Sequence, residues 1–180
     1  MGLASNYIAR RYIKPGDHLY VYRACLAYSH HGIYRSEGQV IHFTSAASSS
    51  AERREVCSAC ELMEYSERSS GVIASCLDCF LKSGSPRRYK YGVTKAGYLM
   101  RRRGTCNTAE AGPVEVVLER AESLLSRNGF GEYNLLTNNC EDFATFCATG
   151  QKCNRNGTTR TYGQASLLGG FAFRRCHPNS

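Results

Sequence analysis

The sequence predicts an α+β domain, because strand-forming segments fill its first half and amphipathic helical segments follow later. A first strand is predicted at residues 18–23, directly after a turn-forming Pro-Gly-Asp run at 15–17. Two more strands, at about 30–34 and 39–43, flank the run Arg-Ser-Glu-Gly at 35–38, which is typical of a β-hairpin. The length of 180 residues is enough for one domain with its own core.

Two helices are predicted in the second half of the chain. The first begins at Pro113, because proline fits the first helical position, and it ends at Asn128-Gly129. Its apolar residues recur at helical spacing and form one stripe. The stripe consists of Val114, Val117, Leu118, Ala121, Leu124 and Leu125. The second helix has Asn138 or Asn139 as its N-cap and ends at Gly150.

The composition narrows the classes of partner. The chain has a formal net charge of +8, with 42% hydrophobic and 21% charged residues, which is ordinary for a globular protein apart from its basic excess. A basic surface suits an anionic membrane surface, an acidic partner or nucleic acid. The basic stretches are not interleaved with aromatic residues, so nucleic-acid binding is not expected.

The sequence also indicates a cellular compartment. The first residues lack the apolar stretch of a secretory signal, and no apolar run reaches the roughly 18 residues that span a bilayer. We therefore expect a cytoplasmic protein that can lie peripherally on membranes, with thiols that stay mostly reduced. Gly2 suggests N-myristoylation, but Asn6 stands where that motif has Ser or Thr.

Cys140 is the candidate nucleophile, because it lies in the first turn of the second predicted helix. The positive end of the helix dipole and the unpaired N–H groups there favour the thiolate, which is the reactive form. The same N–H groups can hold an oxyanion. The alternative is a buried cysteine that packs as a small hydrophobic residue, and Cys147, two turns later, fits that description.

Three of the five histidines lie on the predicted hairpin and are candidates for the base. Because side chains alternate along a strand, His30 and His31 point to opposite faces of the sheet. A hairpin centred on Ser36 places His30 directly opposite His42. A register shift of one residue places His31 there instead. The pattern therefore predicts a pair that includes His42 and leaves His30 and His31 as alternatives.

Two segments resemble the sequence boxes of the lecithin:retinol acyltransferase (LRAT) family, in the NlpC/P60 thiol superfamily. The run His30-His-Gly-Ile-Tyr34, closed by Val40-Ile-His42, is similar to the histidine box of that family. The run Asn139-Cys-Glu-Asp-Phe143 is similar to its Asn-Cys-Glu-His-Phe box, and Gly16-Asp17 matches the family's opening. The resemblance extends over residues 14–150 and is nearest to plant LRAT-domain proteins.

The resemblance implies roles for three residues. His30 matches the first histidine of the box, which implies that it is the general base for Cys140, while His42 orients it and stabilises the imidazolium. His31 falls on a position that the family fills with a variable, often aromatic, residue. The implied fold is a permuted papain-like (NlpC/P60) fold, in which an antiparallel sheet packs against the helix that carries Cys140. The implied chemistry is ping-pong acyl transfer from a glycerophospholipid to water, an amine or an alcohol, without a cofactor.

The chain departs from the family pattern in two places. Asp142 replaces the histidine of the family's cysteine box, although that histidine is not one of the three catalytic positions. Family enzymes usually carry a C-terminal membrane anchor, whereas the best apolar run here, residues 165–173, is short and broken by glycine. The basic surface and this run are therefore the expected means of docking to a membrane.

Residues 51–85 are predicted to form an irregular insertion in the domain, followed by a strand at 89–93. The insertion contains Cys57-x-x-Cys60 and Cys76-x-x-Cys79, with 15 residues between the two pairs. That spacing is typical of a structural zinc site with four thiolate ligands. The alternatives are cysteines in a flexible loop, or buried strand residues at Cys76 and Cys79.

The leading prediction is a thiol-dependent acyltransferase or phospholipase that acts on glycerophospholipid acyl chains through a thioester on Cys140. The alternatives are a cysteine peptidase or amidase of the same fold, and a non-catalytic adaptor that keeps the fold for binding. The expected partners are a phospholipid or other acyl donor and an anionic membrane surface. The predicted domain spans residues 14–150, between an N-terminal segment at 1–13 and a loosely ordered tail at 151–180.

Overall fold

The computed structural model describes residues 6–23, 28–45, 57–61, 68 and 70–152. The described strands are β1 (His18–Arg23), β2 (Tyr28–Tyr34), β3 (Gln39–Thr44), β4 (Gly71–Cys76) and β5 (Arg87–Arg88). The described helices are α1 (Ser58–Glu61), α2 (Leu77–Leu81), α3 (Lys95–Leu99), α4 (Val114–Arg127) and α5 (Cys140–Thr149), besides a 3-10 turn at Arg10–Tyr12. None of the helices in these ranges is long and apolar enough to cross a membrane. The predicted α+β class is confirmed.

Within the described ranges, the five strands form one antiparallel sheet in the order β4-β3-β2-β1-β5. β1 pairs with β2, and β3 with β4, over six residue pairs each. β2 and β3, in the middle of the sheet, share three pairs, and the last of these joins Gly32 to His42. The ladder between the two central strands therefore ends at Gly32 and His42, and residues 28–31 of β2 are not paired with β3; this interruption is called the opening below.

The two faces of the sheet are covered by different helices. On the first face, α4 and α5 pack on Ile33, Ile41 and Phe43. The helix residues of this core are Val117, Ala121, Leu124, Leu125, Phe143, Ala144 and Cys147. On the second face, α2 packs through Phe80 and Leu81 against β1 and β3. Because side chains alternate along a strand, His31 belongs to the first face and His30, Gly32 and His42 to the second.

The predicted strands agree with the structure unevenly. β1 has the predicted bounds, and β2 and β3 lie within two residues of theirs. The prediction of a strand at 89–93 is wrong, because the strand in this region is β5, which ends at Arg88, directly before Tyr89. β4 and α2 lie inside the segment predicted to be irregular. Val72, Ile73 and Ala74 of β4 are buried on both faces, so the strand lacks the polar alternation that marks a half-exposed strand.

The predicted domain bounds stay a prediction, and Gly2 and residues 153–180 lie outside the described residues.

Both predicted helices are confirmed, as α4 and α5. Pro113 is the N-cap of α4 rather than its first residue. Asn139 is the N-cap of α5, and its side-chain oxygen accepts the backbone N–H groups of Glu141 and Asp142. The Asp142 carboxylate in turn accepts the N–H of Asn139 at 3.0 Å, which completes a capping box. This box explains why an acidic residue fits where the family's box has a histidine.

Gly32 lies where β2 approaches β3 and α2 most closely. A Cβ atom there would lie 2.7 Å from Val40 Cγ1 and 3.0 Å from Phe80 Cε2. We expect Gly32→Ala to lower the free energy of unfolding by about 1–3 kcal/mol, because extra atoms in a packed core force its neighbours to move. Urea unfolding measures the change, with Gly129→Ala as the control, since a Cβ at Gly129 meets its nearest atom at 3.5 Å. Equal losses in the two variants would contradict the packing argument.

Candidate active site and a neighbouring thiol cluster

Two of the hairpin histidines form a hydrogen-bonded pair on the second face of the sheet. His30 Nε2 lies 2.9 Å from His42 Nδ1, and the two rings are nearly perpendicular, at 85°. His42 Nε2 lies 3.0 Å from Ser75 Oγ on β4. The ring of Phe80 covers both imidazoles, with centroid distances of 5.3 and 5.5 Å. A chain of hydrogen bonds therefore runs from His30 through His42 to Ser75 and fixes the orientation of both rings.

The register of the hairpin differs from the predicted one. His42 lies directly opposite Gly32 rather than His30. The turn is centred on Glu37, which adopts a left-handed conformation with φ of 47°, and not on Ser36. Moving the centre by one residue shifts every pairing by two residues, which keeps the side chains on their predicted faces. His30 therefore meets His42 diagonally across the strands instead of directly opposite.

Cys140 is the first residue of α5 and is buried, with 1% of its surface exposed. Its place at the positive end of the helix dipole favours the thiolate. The N–H groups of Glu141 and Asp142 bond to the side chain of Asn139, so they serve the helix cap. The sequence predicted that the first N–H groups of this helix could hold an oxyanion, but in the structure two of them donate to the side chain of Asn139 instead.

The Cys140 thiol lies at the opening between β2 and β3. Its Sγ is 3.8 Å from the carbonyl oxygen of Ser29, the residue before His30. The N–H of Arg35, directly after β2, bonds to Gln39 of β3, whereas the N–H of Tyr34, the last residue of β2, bonds to Asp17 before β1. The backbone groups of odd-numbered residues of β2 therefore point towards β3. The Ser29 carbonyl also points towards β3, at a position where the two strands no longer pair. Cys140 and the histidine pair thus meet this opening from the two faces of the sheet.

Tyr133 is a further candidate site residue that the sequence pattern does not reveal. Its phenol hydrogen-bonds to the Cys140 thiol, and its ring packs on Phe43 at a centroid distance of 5.1 Å. Burial raises the pKa of the Tyr133 phenol, and the neighbouring Cys140 raises it further. The phenol therefore stays protonated and can donate a hydrogen bond to a thiolate or an oxyanion. Tyr133 belongs to an irregular loop, so neither helical nor strand periodicity marks it.

His31 belongs to a separate, buried hydrogen-bonded group on the first face. Its Nδ1 lies 2.9 Å from His18 Nε2, and its Nε2 lies 2.8 Å from Ser29 Oγ. Its ring stacks on Tyr20 at an interplanar angle of 16°. Burial, and to a smaller extent His31, lowers the pKa of His18 well below its ordinary value. Both nitrogens of His31 have partners in the core, which is typical of a structural histidine.

The four cysteines predicted to be metal ligands converge beside the histidine pair. They are Cys57, Cys60, Cys76 and Cys79, and their Sγ atoms all lie within 4.8 Å of one another. All four are free thiols. The Cys79 thiol donates a hydrogen bond to Cys57, which lowers the pKa of Cys57 to about 7. The cluster therefore has the donor atoms and the spacing that a thiolate-bound metal requires.

Comparison with known proteins agrees with the two sequence boxes. The family model for lecithin retinol acyltransferase (LRAT) matches residues 11–153, which contain every strand and helix described above, the histidine pair and Cys140. The chain is also similar to Protein LEAD-SENSITIVE 1 of Arabidopsis thaliana, with 41% identity over an alignment 187 positions long that covers 94% of this chain and 71% of that protein. The predicted resemblance is confirmed, and the chain belongs to the LRAT family.

Proposed function

We propose that the protein is a thiol-dependent acyltransferase or phospholipase that acts on glycerophospholipid acyl chains through a thioester on Cys140. Membership of the LRAT family supports acyl-transfer chemistry in general. The observation that carries the proposal for this chain is the hydrogen-bonded series His30–His42–Ser75 beside the opening at which the Cys140 thiol lies. A nucleophilic thiol, a base and a group that orients the base are the parts that such catalysis requires.

The order of these parts along the chain supports a permuted papain-like fold. Both proposed catalytic histidines precede the nucleophile in sequence. The helix that begins with Cys140 packs on the antiparallel sheet through Phe143, Ala144 and Cys147. An antiparallel sheet packed against the helix that carries the nucleophilic cysteine is the arrangement that the NlpC/P60 resemblance implies.

His30 is the proposed general base. For the hydrogen-bonded series we assign the tautomers in which the Nε2–H of His42 donates to Ser75 Oγ and the Nε2–H of His30 donates to His42 Nδ1. With these tautomers, Nδ1 of His30 is the basic nitrogen that takes the proton of Cys140. When His30 becomes positively charged, the neutral His42 stabilises it by accepting the same hydrogen bond.

In the first half-reaction, the thiolate of Cys140 attacks the carbonyl carbon of a phospholipid ester. A C–S bond forms while the carbonyl electron pair moves to oxygen, and collapse of this tetrahedral intermediate breaks the ester C–O bond. The departing lysophospholipid oxygen takes the proton from His30. The acyl group then remains on Cys140 as a thioester.

In the second half-reaction, water, an amine or an alcohol attacks the thioester, and His30 accepts the proton of the attacking group. The new tetrahedral intermediate expels the thiolate of Cys140, which recovers its proton from His30. Water as acceptor gives a free fatty acid, an amine gives an amide and an alcohol gives an ester. The cycle needs no cofactor, because His30 and Cys140 account for every proton and electron pair.

Tyr133 is the proposed donor to the oxyanion. The N–H groups of Glu141 and Asp142 are committed to the cap of α5, so the negative oxygen requires another donor nearby. The Tyr133 phenol is next to the thiol and stays protonated. A fixed donor in a site shielded from water stabilises a developing negative charge more strongly than water does.

Exposed apolar side chains in the loop before α5 and at the start of β2 favour an acyl chain over a peptide as substrate. Leu135 and Leu136, in the loop before α5, are 47% and 51% exposed, and Tyr28 at the start of β2 is 41% exposed. The Asn139 side chain bonds to the carbonyl of Leu135, which ties this loop to the start of α5. Together with the net charge of +8, these residues support docking at an anionic membrane surface.

Incubation with a phospholipid that carries a labelled acyl chain is expected to add one acyl group to the protein, which intact-mass spectrometry detects. Cys140→Ser should lose the hydroxylamine-sensitive thioester, whereas Cys147→Ala, which alters a buried core cysteine, should keep it. A fast-reacting thiol without an acyl adduct would contradict the lipid proposal and favour peptide or amide substrates. A slow thiol without an adduct would favour the non-catalytic adaptor.

The two neighbouring histidines of β2 provide a matched test of the base. We expect His30→Ala to lower the acylation rate about 10²- to 10⁴-fold, because it removes general-base catalysis. His31→Phe keeps an aromatic ring against Tyr20 and should leave the rate of the folded protein near that of the parent. Quenched time courses of acylation compare the rates of the two variants, and a thermal melt of each variant checks that it is folded. Loss of activity in His31→Phe alone would show that the base is His31.

Removal of one hydroxyl tests the proposed oxyanion donor. Tyr133→Phe keeps the ring on Phe43, and we expect it to lower kcat about 10²- to 10³-fold with little change in KM, as for the loss of one oxyanion donor. Tyr12→Phe, at a residue that is 57% exposed, is the control and should leave both constants unchanged. An unchanged kcat in Tyr133→Phe would remove this residue from the mechanism.

A further inference from the structure

Four free cysteines meet at the junction of β4 with α2, outside the residues of the proposed reaction. We propose that Cys57, Cys60, Cys76 and Cys79 bind a structural zinc ion that holds Ser75 and Phe80 against the histidine pair. The zinc site stands on the cysteine cluster alone. The positioning of the histidines rests in addition on the proposed function.

The distances between the sulfur atoms suit a tetrahedral zinc ion. Cys57 Sγ lies 3.3 Å from Cys79 Sγ and 3.5 Å from Cys76 Sγ, and all four Sγ atoms lie within 4.8 Å of one another. Zn–S bonds of about 2.3 Å at tetrahedral angles place sulfur atoms about 3.8 Å apart. A disulfide requires about 2.05 Å, so the cluster is closer to the metal geometry than to a pair of disulfides.

The backbone around the cysteines also fits thiolates. The N–H of Cys76 donates to Cys60 Sγ at 3.2 Å, and the N–H of Cys79 donates to Cys76 Sγ at 3.4 Å. The N–H of Cys60 bonds to the carbonyl of Cys57 at 2.7 Å, which closes the turn of the first pair. Hydrogen bonds of this kind to ligand atoms orient them and offset their negative charge.

The four thiolate ligands indicate both the identity of the metal and its role. Four thiolates in a tetrahedral arrangement are typical of zinc or of an iron–sulfur centre, and a single ion with four cysteine ligands is the usual structural zinc site. Because the four ligands leave no open coordination position, the ion would not activate water or substrate. It would join α1, which carries Cys60, to the sheet.

The second ligand pair lies between the two residues that contact the histidines. Ser75 comes directly before Cys76 and bonds to His42, and Phe80 comes directly after Cys79 and covers both imidazoles. β4 passes into α2 without a loop. An ion that fixes Cys76 and Cys79 therefore also fixes Ser75 Oγ and the Phe80 ring, which makes the two cysteines positioning residues for the base.

The metal content of the purified full-length protein tests the zinc site without any activity measurement. We expect one zinc ion per chain by elemental mass spectrometry, and absorption bands of tetrahedral thiolate coordination after exchange with Co²⁺. Cys79→Ser should weaken zinc binding at least about a hundredfold, since loss of groups around a ligand alone costs about ten- to a hundredfold. Cys106→Ser, at a buried cysteine outside the cluster, should keep its zinc.

Protein that contains no zinc and takes up none in a titration under reducing conditions would overturn the site, and iron in its place would overturn the choice of metal. Where Cys79→Ser fails to fold, the Co²⁺ spectrum of the parent protein decides the same question.

The ring nitrogen resonances of His42 test the positioning role. We expect removal of zinc by a chelator to shift these resonances in the direction produced by Ser75→Ala in zinc-loaded protein. Resonances that do not move on removal of zinc would overturn the positioning role and leave the zinc site standing. Zinc-dependent shifts in a protein that forms no acyl adduct would contradict the proposed function and leave the zinc site standing, but they would remove the role of the two cysteines in positioning a catalytic base.

Discussion

The hydrogen bond between His30 and His42 depends on the point at which β2 and β3 stop pairing. The two strands approach closely up to Gly32, where the missing side chain admits Val40 and Phe80. Beyond that point β2 and β3 no longer pair, and the imidazoles of His30 and His42 contact each other diagonally across the two strands. The same separation opens the space beside the Ser29 carbonyl, and the Cys140 thiol lies there. One interruption of the sheet thus organises both halves of the proposed site.

Opposing electrostatic effects act at the start of α5, where Cys140 lies, and they bear on the proposed role of a base. The positive end of the helix dipole favours a thiolate at this position, whereas burial disfavours any charged group. Asp142 is engaged with the backbone of Asn139, and a carboxylate oxygen of Glu141 lies 3.4 Å from the hydroxyl of Tyr89. Both acids therefore have local partners. In the proposed mechanism, proton transfer to His30 creates an imidazolium whose charge offsets the cost of a buried thiolate.

The sequence predicted the parts of the site more accurately than their arrangement. Helix caps and strand patterns are local, so the start of α5 could be predicted to within one residue, with Asn138 or Asn139 as its N-cap, and the bounds of β1 could be predicted directly. The register of the hairpin depended on the left-handed conformation of Glu37, which is uncommon for a residue other than glycine, and a turn centred there was not expected. β4 was missed because it is buried on both faces and carries no alternation. Tyr133 was missed because its contact with Cys140 comes from the path of a loop, which no periodicity encodes.

The missed strand changes how the histidine box and the cysteine pairs relate to each other. Along the sequence they are separate features, and the cysteine pairs fall in a segment with the character of an insertion that has its own role. In the structure, β4 pairs with β3 over its whole length, so His42 reaches Ser75, the residue directly before Cys76. α2 then returns over the same face and brings Phe80 onto both imidazoles. The histidine pair is therefore enclosed by elements whose ends carry cysteines, and any group that binds those cysteines acts directly on the geometry of the proposed base.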